Sequence, residues 1–206
     1  MDSAKIRFSE EELALMNDAR ILLIKQSLLG KVDSVLGNVA DHLQQSLHAP
    51  ACSLPAELLT LGPKIARGEN YQGLPYRMLD YPRSFSRKDI FAFRTFFWWG
   101  NYLSLSLHLR GRYLDEYALS CLHTLRTGAS AHWRIALEGD EWDHDAIRYT
   151  SIRDLEMNEW EKRISQAQFC KLSLVLHWGN WEGIEERMKQ AVDEIFGHWG
   201  CQLPKR

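Results

Sequence analysis

The sequence predicts an α+β fold: an N-terminal helical hairpin, then a mainly antiparallel sheet packed on helices, with a long C-terminal helix. Three observations carry this. Apolar residues recur every three or four positions over the first fifty residues and again near the end, the period of a helix with one buried face. Residues 90–110 instead hold an aromatic run, a Gly-Asn pair and a strict apolar/polar alternation, the pattern of a β-hairpin. Further strand-like and helix-like segments are mixed along residues 111–200, which points to α+β.

Each element has its own signal. Ser9 stands before Glu10, Glu11 and Glu12 as a capping box, so a first helix spans 9–29. Gly30 allows a break or a kink. Val32, Val35, Leu36, Val39, Leu43 and Leu47 then mark a second helix over 32–47, giving a hairpin or one long bent helix. Residues 1–61 form this helical part, ending in a loop and a short helix after Pro50 and Pro55. Residues 62–89 are dense in Pro63, Gly68, Gly73, Pro75 and Pro82. They also carry Tyr71, Tyr76, Met78, Leu79 and Tyr81, too aromatic for a flexible linker, and read as an ordered loop.

Residues 90–206 supply the sheet-and-helix core of what is a single domain over 1–206. Strands 90–99 and 102–110 turn at Gly100-Asn101. A two-residue turn pairs Trp99 with Tyr102, Phe97 with Ser104, Thr95 with Ser106 and Phe93 with His108. A helix over 115–126 stops at Gly128. Strands 133–138 and 146–152 flank an acidic loop, a helix covers 155–166, and another strand covers 169–178. The last helix runs to about Trp199 on a stripe of Ile184, Met188, Val192, Ile195 and Phe196. Leu103-Ser104-Leu105-Ser106-Leu107-His108 matches Leu172-Ser173-Leu174-Val175-Leu176-His177 at five of six positions, two strands with the same alternation.

Composition narrows the function. The 206 residues are 45% hydrophobic and 25% charged, which excludes disordered, collagenous and coiled-coil chains. The net charge of −2 excludes a generally basic nucleic-acid binder. The most apolar window, 91–109, contains Arg94, Asn101 and His108 and is too polar to span a bilayer. The start, Met1-Asp2-Ser3-Ala4-Lys5, lacks a leader pattern. Cys52, Cys121, Cys170 and Cys201 form no C-x-x-C pair and suit free thiols in a reducing cytoplasm. The cluster of tryptophans at element ends favours a homodimer. No phosphate-loop, dinucleotide, nucleophile-elbow or zincin fingerprint is present, and no cofactor or metal is indicated.

The candidate site is the polar side of the two similar strands. His108, Ser104, Ser106 and Thr95, with Ser173 and His177, lie opposite a leucine face, beside Phe93 as an apolar wall and Arg94 and Arg110 as anion partners. The reading is a small, anionic ligand bound on this Ser/His-lined face. Two alternatives stand beside it. One is a hydrolase- or transferase-like enzyme using a Ser beside a His. The other is an interaction module acting through the helical N-terminus and aromatic surface. Arg94, on an apolar strand, needs an acid, an anion or a ring, and a structural ion pair is its first reading. The acidic run Glu138, Asp140, Glu141, Asp143, His144, Asp145 reads as a solvated loop. Residues 64–94 hold seven bases against three acids, and 138–161 hold nine acids against two bases, so the two stretches are expected to neutralise each other.

Overall fold

The computed structural model describes residues 6–128 and 132–201. Two N-terminal helices, α1 (Glu10–Met16) and α2 (Ala19–Leu47), precede the hairpin strands β1 (Lys64–Tyr71) and β2 (Leu74–Phe85). Then come β3 (Ile90–Trp98), β4 (Tyr102–Arg110), α3 (Arg112–Thr127) and β5 (Trp133–Ala136). The chain closes with β6 (Thr150–Ser151), α4 (Met157–Ile164), β7 (Phe169–Leu176) and α5 (Ile184–Phe196). The α+β class holds. The described strands form one antiparallel open sheet in the order β1-β2-β3-β4-β7-β5-β6, and α5 packs against α2.

The Ser9 capping box forms: Glu12 N–H donates to Ser9 Oγ at 3.1 Å, and Ser9 N–H donates to Glu12 Oε2 at 2.6 Å. Of the two expected forms, hairpin or one long helix, the long helix is found, over Ala19–Leu47. The chain breaks at Asn17-Asp18, where Asp18 caps the next helix by accepting from Arg20 N–H at 2.9 Å. Gly30 then lies inside a 29-residue helix. A glycine there costs about 1 kcal/mol. The flanking stripe of Leu29, Val32, Leu36, Val39 and Leu43, all buried, outweighs it.

The 62–89 loop is also a correction, because this segment is the β1–β2 hairpin. Its glycines and prolines fit strands for local reasons. Gly68 lies under the Tyr76 ring, where a Cβ would come within 2.2 Å of Tyr76 Cε1. Gln72 and Gly73 both have positive φ, 50° and 83°, as a two-residue hairpin turn requires. Pro82 sits in a bulge between Asp80 and Arg83, where a missing N–H leaves no ladder bond unmade.

One face of the sheet packs on α2, α3 and α5. Phe91, Phe93 and Phe97, the leucines of β4 and Leu172, Leu174 and Leu176 of β7 join the buried faces of those helices in one core. Burying each leucine stabilises by about 1.5–3 kcal/mol. The β3–β4 hairpin exists, but its register differs from the expected one. Trp98 pairs with Tyr102, Thr95 with Leu105 and Arg94 with Ser106. The connection has three residues: Asn101 N–H donates to Trp98 O at 3.1 Å, with Gly100 at φ 72° in the turn. A slip of one residue exchanges the two faces of β3. Residues 146–152 give a short 3₁₀ turn and two strand residues rather than a full strand.

Cys52 and Cys201 are disulfide-bonded, so the free-thiol reading fails for both, while Cys121 and Cys170 are free and buried. Among the described residues, no helix is long and apolar enough to cross a membrane.

Candidate functional site

The second face of the sheet is where the predicted site lies. Residues 141–149 fold over its centre, which corrects the solvated-loop reading for Glu141, Asp143, His144 and Asp145, while Glu138 and Asp140 are exposed as expected. The buried cations beneath explain why. Lys171 on β7 is 3% exposed, and its register partner is His108 on β4. Arg94 on β3 forms a two-pronged pair with Asp80, Nε to Oδ1 at 2.7 Å and Nη2 to Oδ2 at 2.9 Å. The loop brings acceptors to this cluster. Lys171 Nζ and the Tyr149 hydroxyl donate to the Asp143 carbonyl. Arg94 Nη1 donates to His144 Nε2 at 3.2 Å, which places the His144 proton on Nδ1. Glu141 accepts from Arg110 Nη1 at 2.7 Å and from His108 Nε2 at 3.2 Å. Tyr71 donates to Asp143 Oδ1 at 3.0 Å and Tyr102 to Asp145 Oδ1 at 2.9 Å.

Burial and crowding of like charge set the protonation states. Burial, with Lys171, Arg94 and Arg110 nearby, pushes the His108 imidazole down to about 3. Burial, with Arg94 and Lys171, does the same to His144, also to about 3. Both imidazoles are neutral at pH 7. Burial and Arg94 lower Lys171 to about 8, against the opposing pull of Asp143, Asp140 and Glu141. Burial by itself would raise the Asp143 carboxyl, but the Asp145 N–H, the Tyr71 hydroxyl and the Arg148 and Lys171 charges outweigh it.

The predicted residues separate into three places. Ser104, Ser106, His108 and Ser173 are buried beneath or beside the loop, with Ser106 and Ser173 hydrogen-bonded at 2.7 Å. Arg94 and Arg110 join the same cluster, each bonded to a carboxylate; the structural ion pair read for Arg94 is the one found. Phe93 and Thr95 are a correction: the register slip puts them on the helix side, fully buried. His177 is exposed, at the other end of β7 from Lys171 and His108. The two similar strands are antiparallel neighbours, so their terminal histidines diverge. Nor do the charged stretches neutralise each other as expected. Arg94 pairs within its own segment, and Arg67 and Arg77 pair with Asp33 of α2.

An open pocket of about 500 Å³ lies where His177 emerges, lined by His132, Arg134, Ser151, Val175, His177, Gly179 and Arg187. Arg134 comes from β5, beside Ser173, and its Nη1 donates to the carbonyls of Ile147 and Tyr149 at 3.0 and 2.9 Å. Two guanidinium groups and two imidazoles line this pocket, with no carboxylate among the described residues. Among the described residues, neither Arg134 nor Arg187 forms an ion pair. No cluster of three or more metal-ligating side chains occurs among the described residues.

Sequence reasoning found His177 but missed His132, Arg134 and Arg187. A signal existed for the first two: they alternate with Trp133 and Ile135 at the start of a recognisable strand. It also missed Lys171, His144 and the loop tyrosines, whose role appears only when the loop closes on the sheet. No family model, curated protein or solved structure matches the chain.

Proposed function

We propose that this protein binds a small, multiply charged anion, of the phosphate-monoester or polycarboxylate class, in the pocket around His177. The supporting observation is the lining: Arg134, Arg187, His132 and His177 around about 500 Å³ with no acid among them. Arginine presents a planar fork of donors that matches phosphate and carboxylate oxygens. Binding is favoured over catalysis at the buried face, because Ser106 is bonded to Ser173 and His108 to Glu141, leaving no serine hydroxyl set against a histidine base. The disulfide supports a compartment that tolerates oxidised thiols over the reducing cytoplasm. Titration calorimetry with inorganic pyrophosphate and with citrate at low salt tests the reading. Arg187→Glu, at an exposed position, is expected to weaken binding at least tenfold. Equal affinity in the variant, or no heat with either anion, would count against the pocket.

A second reading, an interaction surface at the N-terminus, has its own support. Of the fifteen large apolar side chains exposed among the described residues, ten lie between Ile6 and Leu28.

A further inference from the structure

We propose that the N-terminal arm, residues 6–31, docks on the arm and the aromatic groove of a second copy of this chain. This rests on the arm being an interaction surface, and names its partner.

α1 buries none of its residues, and the first buried residue of α2 is Leu29. Ile21, Leu22, Leu23 and Ile24 are consecutive and exposed. Successive helical residues point about 100° apart, so these four surround the helix. A helical turn apolar on all sides is one that other chain tends to enclose. The body of the domain approaches it on two sides: β1 and β2, through the Lys25–Glu69 pair and a hollow beside Leu22, and an aromatic groove. There, Ile24 and Leu28 join Phe97, Trp99, Trp178 and Trp181 around a groove of about 600 Å³.

Area and charge select the occupant. The ten exposed apolar side chains of the arm offer on the order of 600 Å² per protomer, at the area implied for each by its transfer energy. A two-fold pair would then bury about 1,200 Å² before the groove is counted, the lower bound of a standard interface. The arm holds Arg7, Arg20, Lys25 and Lys31 against Glu10, Glu11, Glu12 and Asp18, a net charge of zero. An anionic membrane or a nucleic acid would ask for a basic arm. A second arm running antiparallel asks for this arrangement, with Glu10, Glu11 and Glu12 toward one end and Lys25 and Lys31 toward the other. It brings Glu10 and Glu11 of one copy toward Lys31 of the other. None of the three has an ion pair among the described residues. A two-fold axis makes both contacts at once, since the surface is its own complement.

The experiment is sedimentation velocity on the full chain from about 1 to 200 μM, with far-UV circular dichroism and urea midpoints alongside. The wild type is expected to be a dimer. Leu22→Glu with Ile24→Glu is expected to give a monomer with the wild-type far-UV spectrum, because these side chains are 61% and 65% exposed, and a urea midpoint equal to the wild type's at concentrations too low for it to dimerise. Lys31→Glu is expected to weaken the dimer at least tenfold, and Glu10→Lys with Glu11→Lys in the same chain to restore it. A wild type that stays monomeric at 200 μM overturns the second copy as partner. If that monomer binds anilinonaphthalene sulfonate and the Leu22/Ile24 variant does not, the interaction surface survives with a different occupant. If dye binding is also unchanged, or if a dimer forms that none of the substitutions affects, the arm itself is overturned as the contact.

Discussion

Acidification from pH 7 to 4.5 is expected to release the loop over residues 137–149. His108 and His144 have folded-state values of about 3, against 6.5 for a free imidazole. Their values are depressed, so below pH 6.5 the unfolded or opened chain binds protons that the closed chain excludes. The associated stability is complete above that pH and is lost as the pH falls from 6.5 toward 3. At pH 4.5, two units below the free value, each imidazole costs about 2–3 kcal/mol at ~1.4 kcal/mol per unit. The two together reach about 5 kcal/mol, comparable with the whole stability of a marginal domain. Both rings lie beneath or within the loop, so opening the loop relieves both at once, and amides of residues 141–149 should lose hydrogen-exchange protection first. Urea midpoints at pH 7 and 4.5 measure the size of the effect. His108→Gln with His144→Gln should flatten the difference. An unchanged wild-type midpoint, or an equal loss in the double variant, would refute neutral buried imidazoles as the cause.

Three further outcomes are expected. Leu105→Ala, at a fully buried position between the sheet and its helices, should cost about 2–5 kcal/mol in urea unfolding; a cost under 1 kcal/mol would contradict the packing. Arg94→Met should cost about 3–5 kcal/mol by leaving Asp80 buried and unpaired, whereas Arg94→Met with Asp80→Leu should recover most of it; a double variant no better than the single would mean the pair is not the source. Reducing Cys52–Cys201, which closes a separation of 149 residues, should lower stability by about 3–5 kcal/mol through the freed unfolded chain, read as a lower melting temperature in reductant.

The parts of this fold that were legible in the sequence are those set by local periodicity. The β3–β4 hairpin shows itself because Leu103, Leu105, Leu107 and Leu109 alternate with polar residues and a glycine marks the turn. Its register was not legible. Gly100-Asn101 fits a two-residue turn as well as part of a three-residue one, and that single residue decides whether Thr95 or Arg94 faces the candidate site. The β1–β2 hairpin was hidden by Gly68 and Pro82, residues that break strands on average and are accommodated here by the Tyr76 ring and a bulge. The loop over the sheet was hidden for a different reason. Its acids are typical of a solvated turn, and Lys171, Arg94 and Arg110, distant in sequence, give the loop a place to fold onto. The pocket proposed for an anion has the same origin: His132, Arg134, His177 and Arg187 come from three separate elements.

The bond between Cys52 and Cys201, whose Cα atoms are 4.2 Å apart, makes residues 52–201 a covalent ring. Every described strand lies inside that ring, and α1 and α2 lie outside it along the chain, although α2 packs on the sheet and on α5. A single cut anywhere between Cys52 and Cys201 leaves both fragments attached, so a nicked molecule migrates as one chain until it is reduced.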